Sequence, residues 1–168
     1  MTLIRYATLD DLDEIMLIIM QAKQSLKEAG IPQWQTGSPN EATICHDIHN
    51  NHTIVMCEED RIIATVALLF EEEPSYKTLK GGSWLQDNAY ATIHRIAVAS
   101  NATQQSIATS LINHCIDLTR KQALASLRID THTENTKMLG LIRKFPFEKC
   151  GMITLSDGSP RLAFEMLV

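Results

Sequence analysis

The sequence predicts a single domain over residues 1–168, of α+β / α/β class: a twisted, mixed but mostly antiparallel sheet with helices on both faces. Three observations predict it. A chain of 168 residues, 45% hydrophobic and 21% charged, has the composition of a soluble domain large enough to bury a full core. Two β-prone runs in the first half are joined by a short polar turn, which makes them antiparallel. In the second half a helical pattern separates two further β-prone runs, and a crossover of that length makes the flanking strands parallel.

The elements follow in order. Residues 3–6 read as a first strand. Thr8 is a good helix N-cap, and Asp10, Asp11 and Asp13 crowd the first turn, where the helix dipole favours them. Leu12, Ile15, Met16, Ile19 and Ala22 then repeat at helical spacing until Gly30 and Pro32 end the stripe. Residues 31–40 form a loop carrying Trp34, and a second helix runs over 41–49. Strands at 53–57 and 61–69 flank Glu58-Glu59-Asp60, a hairpin signal. Residues 71–88 are a long acidic connection with Tyr76 and Trp84, beyond usual hairpin length and so either functional or mobile. There follow strand 90–98, helix 104–122, strand 126–131, helix 135–144, strand 147–153, a turn at Ser156-Asp157-Gly158-Ser159 and a last strand over 161–167.

Net charge is −5, and no basic cluster is longer than Arg120-Lys121 or Arg143-Lys144. That argues against nucleic acid or an anionic membrane as partner. The longest apolar runs, 15–20 and 62–70, are too short to span a bilayer. The four cysteines are scattered, so no zinc-ligand spacing arises and no metal is expected. His46, His49 and His52 near Cys45 read as a polar helix-to-strand connection. No leader-like segment is read, and free thiols in a cytoplasmic protein are the expectation.

The most informative stretch is Ile93-His94-Arg95-Ile96-Ala97-Val98-Ala99-Ser100-Asn101-Ala102-Thr103-Gln104-Gln105-Ser106-Ile107-Ala108-Thr109. A strand that passes through a polar turn into a helix aims unpaired backbone N–H groups at the strand's carboxyl end, which favours an anion there. The stretch resembles motif A of the GNAT superfamily, the acyl-CoA-dependent N-acetyltransferases, in which Arg/Gln-x-x-Gly-x-Gly/Ala opens the helix. Aligned here, Thr103 stands for Arg/Gln and Ser106 for the central Gly, while Ala108 matches. Downstream, Leu127 to Met138 and Ile142 to Gly151 resemble motif B through Asn135, Lys144 and Phe147, with Pro146 in place of a Gly.

The resemblance implies a GNAT-like fold whose two parallel central strands splay at their carboxyl ends, and acetyl-CoA as cosubstrate. It implies pantetheine pairing along Ile96, Ala97 and Val98. The pyrophosphate would sit on Thr103, Gln104, Gln105, Ser106, Ile107, Ala108 and Thr109, with further cofactor contacts from Asn135, Met138 and Lys144. A Ser at position 106 costs close backbone approach but offers a hydroxyl to a phosphate oxygen, so weakened binding is expected and lost binding is the alternative.

The family's general-acid Tyr falls on Ile142, leaving water to protonate the thiolate. The position of the Glu used as base in some members falls on Thr92. His94 lies two residues on, on the same strand face, and is the first candidate base; His132, at the end of the neighbouring strand, is the second. A structural histidine is an equally good reading of each. Arg95, Arg128 and Asp130 are charges inside strands expected to be buried; an Arg95–Asp130 ion pair is the expectation, and binding of a substrate carboxylate is the alternative. Trp34, Tyr76 and Trp84 lie in loops that cover the acceptor side in the family; packing a substrate and anchoring loops or a dimer seam both fit. Glu71-Glu72-Glu73 reads as a solvated acidic run.

The leading expectation is therefore an acetyl-CoA-dependent N-acetyltransferase acting on a primary amine of a small molecule by direct attack. An acyl-CoA-binding protein with little or no catalysis and a protein or peptide N-acetyltransferase are the alternatives. Acyl chain length, acceptor and a homodimeric state stay open.

Overall fold

The computed structural model describes residues 1–102 and 106–168. In chain order it contains β1 (Thr2–Tyr6), α1 (Leu12–Glu28), α2 (Glu41–His49), β2 (Thr53–Glu58), β3 (Arg61–Leu69), β4 (Tyr90–Val98), α3 (Ser106–Lys121), β5 (Ser126–Thr131), α4 (Thr136–Ile142), β6 (Glu148–Thr154) and β7 (Pro160–Leu167). The strands of this mixed sheet follow the order β1-β2-β3-β4-β5-β7-β6. Pairings β1–β2, β2–β3, β5–β7 and β6–β7 are antiparallel, whereas β4–β5 is parallel, as the crossover helix requires. Contacts sort the chain into two compact units, residues 1–68 with 95–113 and residues 69–94 with 114–168.

In the first unit, α1 buries Ile15, Ile18 and Ile19 in one cluster with Ile44 and Ile48 of α2, Val55 and Cys57 of β2, and Ala97 of β4. Each such isoleucine, fully buried, contributes roughly 1.5–3 kcal/mol. Met56 lies between Val55 and Cys57 on β2 and so points to the opposite face. There it lines a hollow of about 310 Å³ with Ile4, Ile63, Ser106, Ile107 and Ser110. Asn40 starts α2 by accepting the Thr43 N–H at 3.0 Å. Thr8 does not cap the long helix directly. Residues Leu9–Asp11 form a separate 3-10 turn, because the Asp11 carboxylate is held by Arg5 at 2.7 and 2.9 Å and by the Thr8 N–H at 2.8 Å.

In the second unit, β5 and β7 place Arg128 opposite Glu165. The long 71–88 connection is not a featureless loop. It contains a 3-10 turn over Pro74–Thr78 whose Tyr76 is 2% exposed and packs with Ile153 and Ala163. The connection is fastened to β6 by a Lys80–Met152 bridge, with both N–H···O bonds at 2.9 Å. The backbones approach so closely that a Cβ on Gly82 would meet the Cys150 carbonyl oxygen at 1.9 Å, and one on Gly151 would meet the Lys80 oxygen at 2.5 Å. These two glycines are steric requirements of that crossing.

The β4–β5 register runs from Tyr90↔Ser126 to Ile93↔Ile129 and ends there, although β4 continues to Val98. Two residues on, Arg95 has φ of +52°. A left-handed residue inside a strand breaks the pleat and turns the following peptides out of the regular ladder.

Candidate functional site

Two groups of residues carry the candidate chemistry, one in each unit. In the first, the Arg95 bulge is secured from α2. The Arg95 guanidinium donates from Nε to Asp47 at 2.6 Å and from Nη2 at 2.8 Å, and the Asp47 side chain is 3% exposed. The expected Arg95–Asp130 pair is therefore absent. The positive φ of Arg95 goes with a fork delivered to Asp47, and Asp130 instead accepts the Tyr76 hydroxyl at 2.8 Å. Beyond the bulge, Ile96 and Val98 are half-buried and Ala97 is buried in the α1–α2 cluster. The Ala102 N–H closes a turn on the Ala99 carbonyl at 3.0 Å, and Gln21 Oε1 accepts the Ser100 N–H at 2.9 Å.

Of the loop residues singled out for the pyrophosphate, Thr103, Gln104 and Gln105 lie outside the described residues. Ser106 is exposed at the first residue of α3, Ile107 is buried against the hollow behind β2, and Ala108 and Thr109 are half-buried. The parallel ladder with β5 ends at Ile93, before this segment, and exposed Ser106 opens the helix that follows it.

The second group forms around His94. Its Nε2 lies 3.1 Å from Glu73 Oε2, with side-chain exposures of 17% and 22%. Glu73 is fixed at three points. Its Oε1 accepts the Ser75 N–H at 3.2 Å, its own N–H donates to the Tyr90 hydroxyl at 2.9 Å, and Oε2 meets the imidazole. The hydrogen bond from His94 holds the Glu73 carboxyl down at about 2, against an opposing push from burial. The Tyr76 ring stands 6.5 Å from the His94 ring between centroids. Burial, with the Asp130 carboxylate beside it, drives the Tyr76 phenol well above its ordinary value, and burial also raises Asp130. A phenol thus stands near His94, although sequence spacing put none at the family's acid position. Ile142, at that position, is 1% exposed in the core.

Trp84 packs on Tyr76 at 5.0 Å between ring centroids and donates its indole N–H to the Tyr76 carbonyl at 3.1 Å. The Arg128 guanidinium is stacked between Trp84 and Tyr90, 4.0 and 3.8 Å from the ring centroids. Its Nε donates to Glu165 at 2.9 Å, and the fully buried Glu165 also accepts from Leu85 N–H, Gln86 and Ser126. The structure therefore brings His94, Tyr76 and Trp84 into one cluster, whereas Trp34 belongs to the Ile-rich core of the first unit. His132 accepts the Glu134 N–H on Nδ1 at 3.1 Å, in the turn that leads to α4. Asn135 caps α4 by accepting the Met138 N–H at 3.2 Å, and Lys144 is exposed just beyond the helix. Thr92, at the position of the family's Glu, is completely buried and its hydroxyl has no partner among the described residues.

Sequence reasoning missed Glu73, Asp47 and Glu165. Each carried a signal: Glu73 directly precedes Pro74 as an N-cap does, Asp47 interrupts the Ile44–Ile48 stripe, and Glu165 sits inside an apolar strand. Among the described residues no group of three or more His, Cys, Asp or Glu could hold a metal ion. Among them, too, no helix is long and apolar enough to cross a membrane.

The architecture is that of known acetyltransferases. A GNAT-family acetyltransferase of Streptococcus agalactiae superposes with a TM-score of 0.91 at 31% identity, covering 99% of this chain and 95% of that one. One from Listeria monocytogenes gives 0.77 at 17% identity, covering 99% and 95%. The ribosomal-protein-S18-alanine N-acetyltransferase of Escherichia coli gives 0.69 at 16%, covering 100% and 94%; likeness at that identity concerns the fold alone. No curated protein matches the sequence significantly. The model of the acetyltransferase (GNAT) family matches residues 18–147, and the chain belongs to that family.

Proposed function

We propose that this chain is a cytoplasmic N-acetyltransferase, one domain over residues 1–168, that transfers the acetyl group of acetyl-CoA to a primary amine of a small molecule. The observation that carries the reading is His94, an imidazole on β4, partly open to solvent and paired with a carboxylate at 3.1 Å. An alkylamine with a pKa of about 10.4 is almost wholly protonated at neutral pH, so it must lose a proton before it can attack. Imidazole is the side chain suited to take that proton. The freed nitrogen pair attacks the thioester carbonyl carbon, the carbonyl oxygen takes up charge near the Ile96 N–H, and the C–S bond breaks. The bonded nitrogen, cationic after attack, gives up its second proton to water, and the thiolate leaves with its electron pair and takes a proton from water. No side-chain acid is needed, since a thiol of pKa about 8.5 is a good leaving group.

The cosubstrate would lie along Ile96, Ala97 and Val98, with its diphosphate toward Thr103 to Thr109 and further contacts from Asn135, Met138 and Lys144. The end of the parallel ladder at Ile93 and the exposure of Ser106 support that placement. His132 is the second candidate base; the engagement of its Nδ1 by a backbone N–H favours His94 over it. For acceptor contacts, Trp84 and Tyr76 share the His94 cluster, which supports them over Trp34.

The test is thiol release from acetyl-CoA over a panel of small amines and amino-terminal peptides, with wild type and His94→Ala. The reading expects turnover of a small amine and a loss in kcat/KM of about 10²-fold in the variant at pH 7. That loss should shrink at high pH, where free amine forms unaided. Activity on peptides alone would replace the small-molecule acceptor with a protein one. An acetyl-CoA-induced rise in Tm without thiol release on any amine would leave a binding protein.

A further inference from the structure

Glu73 has no assigned part in the reaction, and its surroundings give it one. The carboxylate stands at the N-cap of the Pro74–Thr78 turn, one oxygen held by the Ser75 N–H and its own backbone N–H held by the Tyr90 hydroxyl. Such anchoring leaves the other oxygen little freedom, and it lies 3.1 Å from His94 Nε2. An ionised carboxylate can only accept a hydrogen bond, so the proton between the two groups resides on Nε2. A neutral imidazole protonated on Nε2 has its lone pair on Nδ1. Among the described residues nothing hydrogen-bonds to His94 Nδ1.

We propose that Glu73 is a positioning residue that locks His94 as the Nε2–H tautomer, making Nδ1 the atom that takes the proton from the acceptor amine. The inference rests on the reading of His94 as the base. In the step, an ammonium N–H bond breaks and an Nδ1–H bond forms, leaving an imidazolium and a free amine. The amine attacks as described, and the imidazolium returns its proton to water. Glu73 stays ionised throughout, since its carboxyl is held at about 2, and its charge offsets that of the imidazolium. The other charged and titratable groups around the pair are Tyr76 and Asp130, which satisfy one another at 2.8 Å, and Tyr90, whose hydroxyl holds the Glu73 N–H, so Glu73 is the group that meets the ring.

The experiment uses the full chain labelled with 15N in its histidine rings, together with Glu73→Leu and Glu73→Gln. At a pH where His94 is neutral, wild type should show protonated Nε2 and unprotonated Nδ1. Glu73→Leu should relax this to a tautomer mixture and lower kcat by about 10–100-fold, with KM for acetyl-CoA within twofold. Glu73→Gln keeps one acceptor oxygen; with that oxygen on the Ser75 N–H its amide NH2 donates toward Nε2, so the tautomer should shift to Nδ1–H and kcat should fall at least as far as in Glu73→Leu. It also serves if the leucine variant does not fold. Wild type protonated on Nδ1 would overturn the proposal, as would unchanged kcat in the foldable Glu73 variants while His94→Ala is impaired. Full activity in His94→Ala would instead remove the base itself, and the proposal with it.

Discussion

Asp47→Ala tests the device that holds β4 out of regular strand geometry. Arg95 keeps a left-handed φ of +52°, which costs a residue with a Cβ roughly 1–2 kcal/mol. Two hydrogen bonds of 2.6 and 2.8 Å to a carboxylate that is 3% exposed oppose that strain. Removing one partner of a buried pair costs about 3–5 kcal/mol. The Arg95 side chain is 21% exposed, so water can partly resolvate the orphaned cation, and about 3 kcal/mol is the working figure. Arg95→Gly orphans the Asp47 carboxylate but relieves the strain, so its cost should fall about 1 kcal/mol below that of a simple pair loss. The double variant leaves neither partner of the pair orphaned and strains nothing; its loss of the carboxylate 3.8 Å from His52 Nδ1 is shared with Asp47→Ala and cancels in the comparison. It should be at least about 2 kcal/mol more stable than the sum of the single losses implies, a coupling well outside additive behaviour. Urea unfolding followed by circular dichroism measures all four proteins. Additivity within about 0.5 kcal/mol would refute the argument that the pair and the bulge act as one unit.

Three further outcomes are expected. Ser106→Gly should tighten acetyl-CoA binding by about tenfold or less, equivalent to ~1.4 kcal/mol, if the hydroxymethyl group keeps the diphosphate from the backbone; calorimetry giving weaker binding would make the hydroxyl a ligand. Gly82→Ala should lose about 1–3 kcal/mol or more in thermal unfolding, because its methyl meets a carbonyl oxygen of β6 at 1.9 Å and backbone cannot rotate away. In the folded protein Cys45 should be the thiol that reacts with a disulfide reagent, since burial pushes Cys115 up to about 12 and Cys150 up to about 11, and Cys57 is also raised. All four thiols should react in urea, and prompt native labelling of Cys115 would contradict its burial.

Local signals carried most of the elements. The Glu58-Glu59-Asp60 turn, the helical stripe from Ile107 and the β-prone run at 90–98 each specify their conformation within a few residues. The helix expected over 135–144 ends at Ile142, where a turn begins that leads to Pro146. The candidate site was legible in part. His94 was visible because strand periodicity puts it on one face with Thr92. Its partner was not, because Glu73 is 21 residues away and looks like the exposed Glu71 and Glu72 beside it. Only the Pro74–Thr78 turn separates its environment from theirs. Arg95 was misassigned for a related reason. A regular strand would deliver its side chain toward a neighbouring strand, and nothing in the local pattern marks a left-handed arginine.

The placement of the two tryptophans has an optical consequence. Trp34 lies against the aliphatic cluster of the first unit, whereas Trp84 stacks on a guanidinium and hydrogen-bonds a carbonyl in the second. Indole emission depends on local polarity, so replacing either by Phe leaves a chromophore private to one half of the chain. Coincident urea midpoints in the two single-tryptophan variants would mark one cooperative transition, and separated midpoints would assign each fluorescence change to its own half.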